Sequence, residues 1–370
     1  MPANDLSTLH ASLGQSLWLD NLSRELLSDG KLANLIANYG IRGLTSNPAI
    51  FKKAIVGSPF YTEDIATLKR TYDEIEAVYE HLVLSDIQQA CDLLRPIWDE
   101  SRGEDGWVSW EESPRIAHDA ASTVQAAERL KKLADRPNLL IKVPATDEGI
   151  DAFEQLIGRG ISVNVTLMFS LDQVQRVFAA YLRGLKALRE SGGAVGRVRA
   201  VASLFMSRVD TLVDQQLTEI DTAQSLALRG KAALALAGMA YQHFREVFEG
   251  EAFSELAQLG ARPQYLLWAS TGTKNPTYSD VLYVENLIAP KTINTLPEAT
   301  LKAFAEHGRL ASMLKPRLAE DRDVWAQLAD AGIDMDGAVG HQLLNEGLDL
   351  FAEAFDDLLA AIAATGNVPD

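Results

Sequence analysis

The sequence predicts an α/β chain folded as a (β/α)8 TIM-type barrel with extra helices, including a C-terminal helical extension. Three observations carry that expectation. Short, nearly continuous apolar or β-branched runs alternate with longer stretches of helical periodicity, the pattern of parallel strands covered on both faces. About eight such units fall within roughly 300 residues, which suits a closed barrel better than the runner-up, an open doubly wound sheet. Almost every run also ends in polar residues, which a purely structural barrel would not need.

The candidate strands are SLWLD (16–20), GLTS (43–46), WVSWE (107–111), LLIKVP (139–144), ISVNVT (161–166), VRAVASLF (198–205) and YLLWAS (265–270). The eighth is LYVENLI (282–288) or the KTINT that follows it. Between them lie amphipathic stretches such as IDAFEQL, LDQVQRVFAAYLRGLKALRE and TAQSLALRGKAALALAGMAYQHFREVF. The spacing is uneven, with a helical insertion at about 52–105 and further helices at about 298–366. The plain reading of that tail is amphipathic packing on the barrel exterior; the other is that it reaches over the barrel mouth. No repeat, low-complexity segment or linker divides the chain, so 1–370 reads as one domain.

Composition narrows the function. At 47% hydrophobic and 23% charged residues the chain reads as an ordinary globular protein. No apolar run reaches the roughly 18 residues of a membrane helix, and MPANDLSTLHASLGQSLWLD has no basic region leading into an apolar core, so it does not read as a secretory signal. A net charge of −17 argues against nucleic acid and anionic membranes as partners. It leaves room for a small anionic substrate held by a few clustered cations and backbone amides. The single cysteine, Cys91, reads as a small buried hydrophobe and excludes an internal disulfide. The expected location is the cytoplasm.

In a barrel, chemistry collects where the strands exit. There the sequence places Asp20 and Asn21; Thr45, Ser46 and Asn47; Glu111; Lys142 and Thr146; Asn164 and Thr166; Ser203, Phe205 and Arg208; and Ser270 and Lys274. Taken singly, most have a bland reading. Asp20 could cap the next helix, Asn47-Pro48 could open a turn, and Arg208 and Lys274 could be surface cations. Of Glu111 and Glu112, only one can face inward from a strand. Lys142 differs: within LLIKVP a lysine must snorkel, pair or deprotonate. Lowering a lysine pKa by about three from about 10.4 costs roughly 4 kcal/mol of charge stabilisation. Such a cost suits a neutral amine that attacks a carbonyl to form a Schiff base.

GIRGLTSNPAIF, WVSWEESPRIAHD, LLIKVPATDEGI, ISVNVTLMFS and VASLFMSRVD together resemble the transaldolases, of the longer bacterial type, over about 20–301. The resemblance implies a (β/α)8 barrel, no cofactor, and a class I aldol mechanism within the pentose phosphate pathway. A dihydroxyacetone unit would move from sedoheptulose 7-phosphate or fructose 6-phosphate to glyceraldehyde 3-phosphate or erythrose 4-phosphate. By position, Lys142 matches the Schiff-base lysine and Asp20 the base that takes the sugar hydroxyl proton. Glu111, acting through a water and Thr166, matches the group that moves protons during imine formation. Asn47 and Asn164 match residues holding the dihydroxyacetone hydroxyls. Ser203, Phe205, Arg208 and Ser270 match the region of the donor and its phosphate. Two positions depart: Lys274 stands a little after the place of a second phosphate-binding arginine, and Glu112 replaces an apolar residue.

The rivals are a related Schiff-base aldolase that releases its three-carbon fragment to water, and a non-catalytic sugar-phosphate-binding barrel. Binding alone needs no nucleophilic amine beside two carboxylates. The six histidines are scattered without ligand spacing, so no metal is expected. The sequence leaves monomer and homodimer both open.

Overall fold

The computed structural model describes residues 5–365, so the ends of the predicted unit 1–370, and the last residue of its helical stretch to 366, lie outside the described residues. Eight strands close into a barrel in sequence order, every neighbouring pair parallel. They are β1 (Gln15–Leu19), β2 (Ile41–Thr45), β3 (Trp107–Glu111), β4 (Leu139–Pro144), β5 (Val163–Met168), β6 (Ala200–Phe205), β7 (Tyr265–Ala269) and β8 (Thr292–Leu296). Almost all of their residues are buried, because helices cover the outside while side chains fill the inside. Closure between β1 and β2 depends on Gly43: a Cβ there would sit 2.5 Å from the Trp18 ring. Among the described residues no helix is long and apolar enough to cross a membrane.

The strands lie within a residue or two of their predicted places, and the eighth resolves between its alternatives. LYVEN forms a short helix (Leu282–Asn286), and KTINT supplies β8. The helix buries Tyr283 and Val284, and the Tyr283 hydroxyl donates to Asp210 at 2.8 Å, which fixes this segment outside the barrel. The long TAQSL…REVF run is also two helices, Ala223–Leu226 and Ala232–Phe248. They are separated at Gly230, whose φ of +71° breaks helical geometry.

The insertion contains helices Pro48–Ile55, Thr62–Leu68 and Ile75–Glu100. The C-terminal region contains Glu298–His307, Leu314–Asp330 and Gly340–Ala364. The two readings of this tail apply to different helices. Leu314–Asp330 packs outside, against Ala232–Phe248, whereas Gly340–Ala364 crosses the mouth, against Pro48–Ile55 and β5. Its buried side, Leu343, Gly347, Phe351, Phe355 and Leu358, recurs at helical spacing. Pairs of Lys52 with Asp357 (2.5 Å) and Arg115 with Asp356 (2.6 Å) flank it, and Lys69 donates to the terminal carbonyls of Ala363 and Thr365. The ion pairs are exposed and weak; the apolar face does most to hold the helix.

Candidate active site

The strand ends converge on a cavity of about 140 Å³ at the C-terminal mouth. Asp20, Asn47, Lys142 and Thr166 line it together with Ser203, Phe205, Arg208 and Ser270. At its centre is Lys142, only 4% exposed. Of the three outcomes open to a lysine in an apolar strand, the structure shows pairing. Nζ donates to Glu111 Oε2 at 3.0 Å and to the Ser46 carbonyl at 3.1 Å. The register of β3 on β4 sets Glu111 directly beside Lys142 and so separates the two glutamates. Glu111 faces the lysine. Glu112 is buried, and among the described residues neither of its carboxyl oxygens has a partner at hydrogen-bonding geometry. Burial pushes its pKa well above the ordinary carboxylate range, Thr123 pulls against the shift and Glu111 adds to it.

Glu111 itself is raised, chiefly by burial and to a lesser degree by Asp20, with Lys142 opposing. Asp20 is raised as well: burial dominates, and the Thr45 hydrogen bond, Lys142 and Lys274 pull the other way. Both carboxylates are therefore stronger bases than in water. Asp20 is not a helix cap, because Ser23 caps Arg24–Ser28 by accepting from Leu26 N. Its Oδ1 accepts from Thr45 Oγ1 at 2.7 Å. Since that proton points to Asp20, Thr295 must donate to Thr45 across their 2.6 Å contact. The Asp20 carboxylate is thus held by hydroxyls from β2 and β8.

Asn164 is fixed at both ends of its amide, donating to Ser109 Oγ at 3.0 Å and accepting from Ser203 Oγ at 2.6 Å. Thr166 is fully buried, and its hydroxyl has no partner. Asn47 caps Pro48–Ile55 by accepting from Ile50 N at 2.9 Å, so the turn-opening role is real, and its amide NH2 remains available as a donor. Opposite, helix Ser207–Ile220 starts without a side-chain cap, and Arg208 lies in its first turn. Among the described residues Arg208 makes no hydrogen bond or ion pair, and burial lowers its pKa. Its guanidinium stands 5.8 Å from the Phe205 ring centroid. A free guanidinium at a helix N-terminus is an anion site. Ser270, in left-handed conformation at φ +54°, shares a 2.8 Å contact with Ser207 Oγ.

Lys274 is the predicted residue that stands apart. It is exposed and lines a neighbouring groove of about 480 Å³ with Asp210, Asp214 and Tyr278, and it reaches the cavity only through its field on Asp20. Sequence reasoning missed Ser109, Thr295 and Phe351. Ser109 shares a strand face with Glu111, a period-two signal that was available. Thr295 depended on the choice of eighth strand. Phe351 lies on the helix over the mouth, 5.8 Å from Lys142 Nζ to ring centroid, and no local pattern announces that placement.

A buried lysine paired to a carboxylate, with a second carboxylate lining the cavity and Arg208 on an uncapped helix start at its rim, fits a Schiff-base carbon–carbon lyase or transferase on a (β/α)8 barrel. The profile of one such family, Transaldolase/Fructose-6-phosphate aldolase, matches residues 17–362. Transaldolase of Thiobacillus denitrificans is 54% identical over 350 residues, covering 95% of this chain and 97% of the relative. Transaldolase of Frankia alni is 45% identical, covering 98% and 97%. Transaldolase of Neisseria gonorrhoeae is 44% identical, covering 95% and 97%. The chain belongs to the transaldolase/fructose-6-phosphate aldolase family.

Proposed function

We propose that this chain transfers a dihydroxyacetone unit from a ketose phosphate, sedoheptulose 7-phosphate or fructose 6-phosphate, to an aldose phosphate through a Schiff base on Lys142. The observation that carries this is the Lys142–Glu111 contact at 3.0 Å on the wall of the cavity that Asp20 also lines. Transfer of a proton from the ammonium to Glu111 frees the amine, and the raised basicity of Glu111 favours that transfer. The amine adds to the ketone. Glu111 then returns its proton to the carbinolamine hydroxyl, which leaves as water, and the iminium forms.

Asp20 takes the proton of the hydroxyl two carbons from the iminium carbon, and the bond between that hydroxyl-bearing carbon and the carbon next to the iminium breaks. An aldose phosphate departs and an enamine remains on Lys142. The protonated Asp20 returns its proton to the new alkoxide when the enamine attacks the second aldehyde, and one water then adds to the product iminium, which releases the new ketose phosphate and regenerates Lys142. Thr45 and Thr295 hold Asp20 in line for both steps. Asn164, fixed by Ser109 and Ser203, and the free amide of Asn47 orient the fragment's hydroxyls. The Thr166 hydroxyl, without a partner among the described residues, would assist at the carbinolamine, a role its lining of the same cavity as Lys142 supports. Arg208 and the uncapped start of its helix hold the phosphate.

Borohydride reduction in the presence of fructose 6-phosphate is expected to trap an adduct whose mass maps to Lys142. No adduct, or one on another lysine, would overturn the mechanism. The second activity in the family's name is separated by kinetics: a transferase consumes ketose phosphate appreciably only when an acceptor aldose phosphate is present.

A further inference from the structure

We infer that Phe351, on the C-terminal helix, decides whether the three-carbon fragment is transferred or released, by keeping water off the adduct on Lys142. This rests on the Schiff-base reading above and adds to it a residue that takes no part in the bond-making steps.

The geometry is specific. Lys142 Nζ is held from one side by Glu111 and the Ser46 carbonyl. Phe351 forms the apolar roof, its ring centroid 5.8 Å from Nζ and its side chain 5% exposed. One turn earlier, Gly347 lets the helix settle: a Cβ there would meet Leu167 Cδ2 at 3.0 Å and Arg208 Nη1 at 3.6 Å. One turn later, Phe355 packs edge-on against Tyr79 at 5.3 Å, which packs edge-on against Phe51 at 6.0 Å. The three residues form one stripe, with Phe351 over the amine between a close backbone approach and an aromatic anchor.

After the first aldose phosphate leaves, the enamine has two fates. Its nucleophilic carbon can attack the acceptor aldehyde, which gives transfer. Alternatively, that carbon takes the proton on Asp20, the resulting iminium adds one water, and dihydroxyacetone leaves as Lys142 is regenerated. The water consumed balances the water lost when the imine formed, so release needs no further reactant. Both fates end with one water adding to an iminium on Lys142; they part at the three-carbon stage, where release needs water to reach the fragment before an acceptor aldehyde does. An aromatic ring roofing the amine closes the approach from above and lengthens the life of the intermediate.

The test uses the full chain, with dihydroxyacetone formed from fructose 6-phosphate alone compared with transfer to erythrose 4-phosphate. In Phe351→Ala, acceptor-free release is expected to rise at least about tenfold relative to transfer, a change of ~1.4 kcal/mol in relative barrier. Phe351→Leu keeps apolar volume and a folded helix, and a smaller rise in the same direction is expected. Borohydride trapping on Lys142 should persist in both. If the adduct is trapped but the release-to-transfer ratio stays at the parent value in whichever variant is soluble, Phe351 has only a packing role and the inference is wrong. If the parent chain itself yields no adduct, the Schiff-base reading fails first.

Discussion

Removing Lys142 should turn its partner into a pH-dependent liability. Lys142 and Glu111 have side chains only 5% and 7% exposed, with the charged atoms 3.0 Å apart. At an effective dielectric of about 20, that separation gives an attraction of about 5 kcal/mol. Breaking one partner of a buried pair typically costs about 3–5 kcal/mol. In Lys142→Met, Glu111 loses the main influence opposing its upward shift, while burial and Asp20 still push it upward. A carboxyl with a folded pKa above its unfolded one contributes stability below the unfolded value and loses it as pH rises through the folded one. The variant should therefore approach the parent's stability near pH 5 and fall behind by ~3–5 kcal/mol toward pH 9. Urea unfolding of both proteins across that range measures the gap. Adding Glu111→Leu to Lys142→Met should remove most of the pH dependence and recover stability, because no charge is left unpaired. A gap that is constant with pH, or a double variant as weak as the single, would refute the pairing argument.

Two further outcomes follow from the same structure. Glu112→Met should stabilise the fold by about 1–3 kcal/mol, since both carboxyl oxygens are buried without partners. Because the Glu112 pKa is raised, this gain should be larger at pH 9 than at pH 5 in the same unfolding assay. Arg208→Ala should raise KM for phosphorylated donors by about tenfold to a hundredfold, the worth of a charged hydrogen bond. It should leave KM for an unphosphorylated ketose nearly unchanged; an unchanged KM for the phosphorylated donor would remove Arg208 from the phosphate site.

Much of this site was legible in the sequence because barrel geometry converts strand ends into neighbours. Asp20, Glu111, Lys142, Asn164 and Thr166 lie on runs whose period fixes which side chains face inward, so a correct strand assignment brings them together. The same rule separates Glu111 from Glu112 once register is known, and register depends on pairing between β3 and β4, which composition does not encode. LYVENLI misled for a related reason. A short apolar run reads alike as buried strand or buried helix, and Tyr283's partner, Asp210, is remote in sequence. Phe351 was hidden because its helix has the ordinary stripe of an amphipathic surface helix. What that stripe covers is settled by contacts with Leu167, Arg208 and Tyr79, all distant along the chain. Lys274 illustrates the converse: a cation at the expected position along the chain lines the adjoining groove.

The seam between the first and last strands has a consequence for how activity arises during folding. Lys142 and Glu111 come from adjacent strands of one strand–helix–strand unit and are 31 residues apart, so their pairing does not wait for the barrel to close. Asp20 is different: its backbone N–H binds the Leu296 carbonyl at 3.0 Å, and Thr295 anchors the hydroxyl chain that aims its carboxylate. Those contacts exist only after the sheet has joined end to end. On the mechanism proposed above, a chain not yet closed would form the imine reversibly but would lack the base that cleaves the sugar. Joining β1 to β8 completes the sheet and, in the same event, sets the Asp20 carboxylate in place opposite Lys142.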